Sequence, residues 1–136
     1  MADLSITAAN IIAREGAKTP TKNAAEAIAQ GESVYENSAG QWALADADAT
    51  LTIGTVIGIA IQTVTAASQP LQVITEGDLA MGAILAVNEV YVVSETAGGI
   101  ELHSAHSSGD FLGLLGVAKT TSTLTMHTFT SGVAKA

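Results

Sequence analysis

Short apolar runs separated by small and polar residues set the rhythm of this chain. "QWALA" (41–45) and "GIELH" (99–103) alternate large groups with small or polar ones, the period-two mark of a half-buried strand. "SVYEN" (33–37) and "EVYVVS" (89–94) also read as strands, each followed by a Ser/Ala/Gly turn. "TVIGIAIQ" (55–62) and "LLGVAKT" (114–120) are apolar strands split by a glycine. In "PLQVITEG" (70–77), Leu71, Val73 and Thr75 alternate with Gln72, Ile74 and Glu76, and Pro70 stands where no ladder donor is needed. "TLTMHTFTS" (123–131) is the last strand. After residue 30 no ten-residue stretch keeps a helical stripe; "GDLAMGAILAV" (77–87) comes nearest and reads as a loop or single turn. Residues 1–23 show no sustained period. Arg14, Lys18 and Lys22 are spaced for one helix face, but Pro20 interrupts it. The pattern predicts a mainly β chain, a small antiparallel β-barrel or sandwich preceded by an extended N-terminal arm over residues 1–26.

The strands repeat. Ala27-Ile28 and Val34-Tyr35 match Ala83-Ile84 and Val90-Tyr91 at an offset of 56. Trp42, Leu44 and Gly58-Ile59-Ala60 match Ile100, Leu102 and Gly116-Val117-Ala118 at 58, and Thr75-Glu76-Gly77 matches Thr130-Ser131-Gly132 at 55. Order and spacing persist, which predicts two duplicated β units, 27–82 and 83–136, sharing one compact domain. Gly58 and Gly116 recur at the same place in both units. Glycine inside a strand costs backbone entropy and leaves nothing to pack, so a recurring one predicts a bulge, a tight bend or a second backbone passing close by. Trp42 is the one large anchor in a core otherwise built of Ala, Val, Ile and Leu.

Composition narrows the function. Hydrophobic residues make up 48% and aromatics 4%, which argues against a carbohydrate site built on aromatic platforms. With no cysteine, disulfides, thiolate metal sites and cysteine nucleophiles are excluded together. Residues 1–22 carry three cations and two acids, net +1; the rest carries two lysines and eleven acids, net −9. Such an acidic body argues against nucleic acid and against an anionic membrane surface. There is no apolar run of membrane-spanning length and no signal-peptide pattern.

Candidate chemistry is sparse. Asp46 and Asp48 in "DADAT" form a D-x-D pair, but Leu51 and Ile57 stand where a calcium loop requires glycine and glutamate, so the pair reads as a polar loop. His103, His106 and Asp110 place three possible ligands in eight residues, yet no fourth ligand follows at a zinc spacing; the histidines are expected exposed on a Ser/Gly loop. His127 reads as a strand-surface residue. No nucleophile elbow or phosphate-binding glycine motif is present. The expectation is a protein without catalysis, metal or cofactor.

Gly31 to Tyr35, Trp42 to Ala45, Val56 to Ala60 and Leu71 to Gly77 form a pattern that resembles the small head decoration (cement) proteins of tailed bacteriophages, encoded near the major capsid protein. The resemblance covers residues 27–80 and, through the duplication, 83–132. It implies a β-rich, commonly trimeric structural virion protein, made in the host cytoplasm. Such a protein sits on the outer capsid surface, bridges major capsid protein subunits and stabilises the expanded shell. A duplicated unit departs from the smaller members, leaving stoichiometry and lattice position open. The arm residues Ile6, Ile11, Ile12, Arg14, Lys18 and Lys22 are the expected capsid contacts, with the arm ordering on binding and adding a strand to an exposed sheet edge. Another virion β module, such as a head-fibre base or tail component, is the alternative, followed by a non-catalytic binding domain or a metal enzyme using His103, His106 and Asp110.

Overall fold

The computed structural model describes residues 3–47, 55–106 and 108–134. Asp48, half of the D-x-D pair, lies outside them. Eleven strands are described: β1 (Ile12–Ala13), β2 (Thr21–Asn23), β3 (Ser33–Glu36), β4 (Trp42–Leu44), β5 (Ile57–Ala60), β6 (Pro70–Ile74), β7 (Glu76–Ala80), β8 (Val90–Val93), β9 (Ile100–Leu102), β10 (Phe111–Ala118) and β11 (Thr123–Ala134). They form two antiparallel sheets, one of six strands in the order β1-β7-β11-β10-β8-β9 and one of five in the order β2-β6-β5-β3-β4. The described helix is limited to two three-residue 3-10 turns, Ala8–Asn10 and His103–Ala105.

The two orders contain the same permutation. β2-β6-β5-β3-β4 becomes β7-β11-β10-β8-β9 strand for strand, with β1 added at the edge. Register fixes the equivalences. Val34 lies opposite Gly58 and Leu44; Tyr91 lies opposite Gly116 and Leu102. Val34 therefore corresponds to Tyr91, an offset of 57 rather than the expected 56. The loops repeat at that offset too. Ile28 and Leu85 donate their backbone N–H to Val64 and Thr121, and Gly31 and Asn88 donate to Ala60 and Ala118. Gly31 and Asn88 both have left-handed backbones.

Two sequence expectations change. Ala60 pairs with Val73 and Ala118 with Leu124, so the closing strands correspond at 51 rather than 55. The units also begin earlier than residues 27 and 83, because β2 and β7 are equivalent lead strands. Residues 12–13 and 21–23 are therefore strands of the sheets, and not part of a free arm. Ile11 is 1% exposed in the core, and Arg14 and Lys18 donate backbone N–H to Asp78 and Glu76 on β7.

The equivalent faces reveal how the units stack. We call the face carrying Val34, Trp42 and Val73 the front of the first unit; its counterpart in the second carries Tyr91, Ile100 and Leu124. The main core joins that second front to Ile57, Ile59 and Ile74, which lie on the back of the first unit. The sheets meet front to back. Ala45, Ala47 and Ala118 in this core keep it thin. The first unit's own front closes a smaller core, where Ala24, Ile28 and Val64 pack on Val34, Trp42, Ala60, Leu71 and Val73. The first sheet is thus buried on both faces, which explains the unbroken burial of Ile57 to Ala60. Twelve residues separate Ala60 from Val73 but five separate Ala118 from Leu124, and the longer turn carries Val64 over the first front. The shorter turn leaves the second front open to the first unit's back.

Candidate functional site

The back of the second unit holds the described polar chemistry that is most deeply buried. On β9, Ile100 and Leu102 face the main core, so the alternation turns Glu101 the other way, opposite Val92 on β8. The connection to β10 folds over that position. His106 closes the 3-10 turn by donating its backbone N–H to the His103 carbonyl, and its ring reaches inward. Nδ1 lies 2.8 Å from Glu101 Oε1 and Nε2 lies 3.0 Å from the Phe111 carbonyl. Both side chains are fully buried. His106, expected on an exposed loop, is instead buried, because Glu101 supplies a partner beneath the turn; Asp110 is buried as well, and His103 is exposed as expected.

The partners fix the proton inventory. A carbonyl cannot donate, so His106 Nε2 carries a hydrogen. The Nδ1–Glu101 contact is then bonded only if a further proton sits on Nδ1 or on the carboxyl. Burial pushes the Glu101 carboxyl above its usual range; the bond to His106 and its charge oppose that, while Asp3 and Asp110 add to it. Glu101 Oε2 and Asp110 Oδ2 are buried without a hydrogen-bond partner. The pair is closed to solvent. It can store a proton, and it lines neither of the two clefts that the N-terminal segment borders.

The N-terminal segment completes this cluster. Asp3 bridges to Glu101 at the open edge of β9, and Leu4 donates its N–H to the Ile100 carbonyl at 2.8 Å. Ser94 Oγ donates to Asp3 Oδ1 at 2.6 Å. From there the chain crosses to the opposite edge of the same sheet, where β1 pairs with β7. Residues 3–13 are a strap joining two sheet edges, with a cleft of about 340 Å³ on one side, lined by Ile6, Gln30, Glu32 and Thr96 among others. No group of three His, Cys, Asp or Glu side chains suited to a metal ion occurs among the described residues.

The expected contact residues scatter. Ile11 is in the core and Ile6 packs against it. Lys18 Nζ pairs with Glu76 at 3.1 Å, and Lys22 Nζ pairs with Glu36 at 3.1 Å while standing 5.9 Å from the Trp42 ring centroid. Ile12 and Arg14 face outward. Ile12 shares its rung with Ala80 and Thr123, on the back of the second sheet. Val117 and Phe129 lie on that back as well, 42% and 58% exposed, against 57% for Ile12. Thr125 and His127 stand between them on β11. Sequence reading missed Glu101, Asp3, Ser94 and this face. A lone acid flanked by two core residues in "IEL" was the available signal.

Lys119 bonds Asp78 at 3.1 Å on the same face and, with Thr125, holds that carboxyl below its usual range. The pair is largely exposed, so Lys119→Ala should change stability by less than about 1 kcal/mol in urea denaturation. No family model, curated protein or solved structure matches the chain.

Proposed function

We propose that the chain is a structural virion protein that binds the outer surface of a tailed-bacteriophage capsid and stabilises the expanded shell by bridging major capsid protein subunits. Its two sheets then serve as the layers of a compact sandwich-like body, with a trimer the favoured assembly. The observation that carries this reading is the exposed part of the second unit's back, on β1, β10 and β11. Its counterpart in the first unit, with Ile57, Ile59 and Ile74, lies buried under the second unit. At the second unit the same face presents Ile12, Val117 and Phe129 to solvent. A flat face with several exposed large apolar groups is a place for another protein surface. The arm enters this reading in altered form. Lys18 and Lys22 already have internal partners, so of the six expected contacts Ile12 and Arg14 are the ones left to meet the capsid.

Sedimentation with shells assembled from the major capsid protein encoded beside it tests the proposal. The wild type should pellet with expanded shells and stay in solution with unexpanded ones. Phe129→Ser should weaken binding about tenfold or more, as loss of an aromatic anchor does, with an unchanged circular dichroism spectrum. A chain that pellets with neither form, or equally with both, refutes the reading. Deleting residues 1–22 is a poor probe, since it removes Ile11 from the core and β1 and β2 from the sheets.

A further inference from the structure

We propose that the proton shared by His106 and Glu101 controls whether the first part of the N-terminal strap, residues 3–7, stays docked on β9. The inference is independent of the capsid reading and concerns the chain by itself.

The argument starts from the charges around Glu101. The strap contributes Asp3, the loop before β10 contributes Asp110, and the 3-10 turn contributes His106; on β8 the facing residue is Val92, without charge. Two buried carboxyls, Glu101 and Asp110, therefore share a pocket with one imidazole, and the exposed Asp3 stands at its rim. With one proton between His106 Nδ1 and Glu101 Oε1, the 2.8 Å contact is a bond, either imidazolium to carboxylate or carboxylic acid to imidazole. When that proton leaves, Nε2 keeps its hydrogen for the Phe111 carbonyl. The Nδ1 lone pair then faces a carboxylate oxygen, and among the described charged groups acting on Glu101 the others, Asp3 and Asp110, are acids.

The strap is the part of the structure able to relieve this repulsion at least expense. Its hold on β9 is the Leu4 N–H bond to Ile100 and the Asp3 bond from Ser94, with Leu4 and Ile6 only partly buried. Lifting it removes Asp3 and admits water to Glu101, while the sheet stays intact. The direction with pH follows from Glu101. A carboxyl that binds its proton more tightly when folded contributes stability below the ordinary carboxylate range. That contribution is lost as pH climbs through the raised value. Docking should weaken as pH rises.

Amide hydrogen exchange on the full chain, corrected for the intrinsic rate at each pH, measures strap opening directly. Between pH 5 and pH 9 the protection factor of the Leu4 amide should fall tenfold or more. The Ala60 amide, bonded to Glu32 in the other sheet, serves as the control for global opening and should not change with it. Glu101→Gln, which cannot ionise, should make Leu4 protection independent of pH. Asp3→Asn should keep the strap docked at pH 9, and this second variant serves if the first does not fold. Equal Leu4 protection at both pH values in the wild type overturns the proposal. So does a pH dependence that Asp3→Asn or Glu101→Gln leaves intact, or a loss of protection that Ala60 shares.

Discussion

Trp42→Ala should cost about 3–5 kcal/mol and lower the melting temperature by about 10–20 °C, the largest single-residue effect in the chain. Trp42 is fully buried in the smaller core, where Ala24, Ile28 and Val64 are held down by the segment before β3 and the turn after β5. Apart from Leu71 and partly buried Leu44, its neighbours are small or β-branched, and the edge strand is held by its ladder to β3 and by the Ala25 N–H bond to the Trp42 carbonyl. Removing the indole opens a cavity that such rigid, short groups cannot collapse to fill. Trp42→Phe separates volume from polarity. The indole Nε1 is buried without an acceptor, so a ring lacking that N–H loses packing but no hydrogen bond. It should cost less than about 1.5 kcal/mol. Thermal denaturation of the two variants checks this; equal losses in both would show that the smaller core does not depend on the volume of this side chain.

What sequence could and could not disclose follows from the physics of strands. Alternation in "QWALA" and "GIELH" was legible because one face of each strand carries large apolar groups into a core and the other carries the small Ala43 or the polar Glu101, although both of those are buried as well. The duplication was legible from the recurring glycines and apolar pairs, but its register was not. Sliding a strand by one residue exchanges its faces, and the shared Val-Tyr pair of β3 and β8 drew the match one residue off the register that the strand pairing sets. β2 escaped notice because "TKN" is an edge strand whose side chains are mostly exposed and whose contribution is backbone pairing with Gln72, Leu71 and Pro70. The N-terminal segment was read as an arm for want of a sustained period, although Ile11, just before β1, is a core residue. The loop around His106 was misread for the opposite reason. Serine and glycine suggested exposure, and the acid that buries the histidine lies five residues earlier in a strand.

Gly58→Val should destabilise the chain by about 3 kcal/mol or more, the upper part of the range for overpacking, while Ile57→Val beside it should cost about 0.5–1.5 kcal/mol. The difference lies in what approaches each position. A Cβ on Gly58 would run into the Ile74 carbonyl oxygen and stand 2.5 Å from Val73 Cγ1. That carbonyl belongs to the end of β6, just before the chain passes Thr75 and enters β7 in the other sheet. The strand must swing from one sheet to the next at this place, and it does so across the face of Gly58. A backbone oxygen cannot rotate aside as a side chain can, so a branched residue would push β6 away from β5 and strain the crossing that joins the sheets. Gly116 meets the same constraint in the second unit. A Cβ there would meet the Thr125 carbonyl, with its carbon at 2.9 Å, beside a bulge that sets Leu115 and Gly116 against the single residue Tyr91. Gly116→Val should therefore destabilise as Gly58→Val does. Urea denaturation of the three variants decides the matter. If Gly58→Val unfolds at the wild-type midpoint, the crossing has room for a side chain and the close approach of β6 does not explain the recurring glycine.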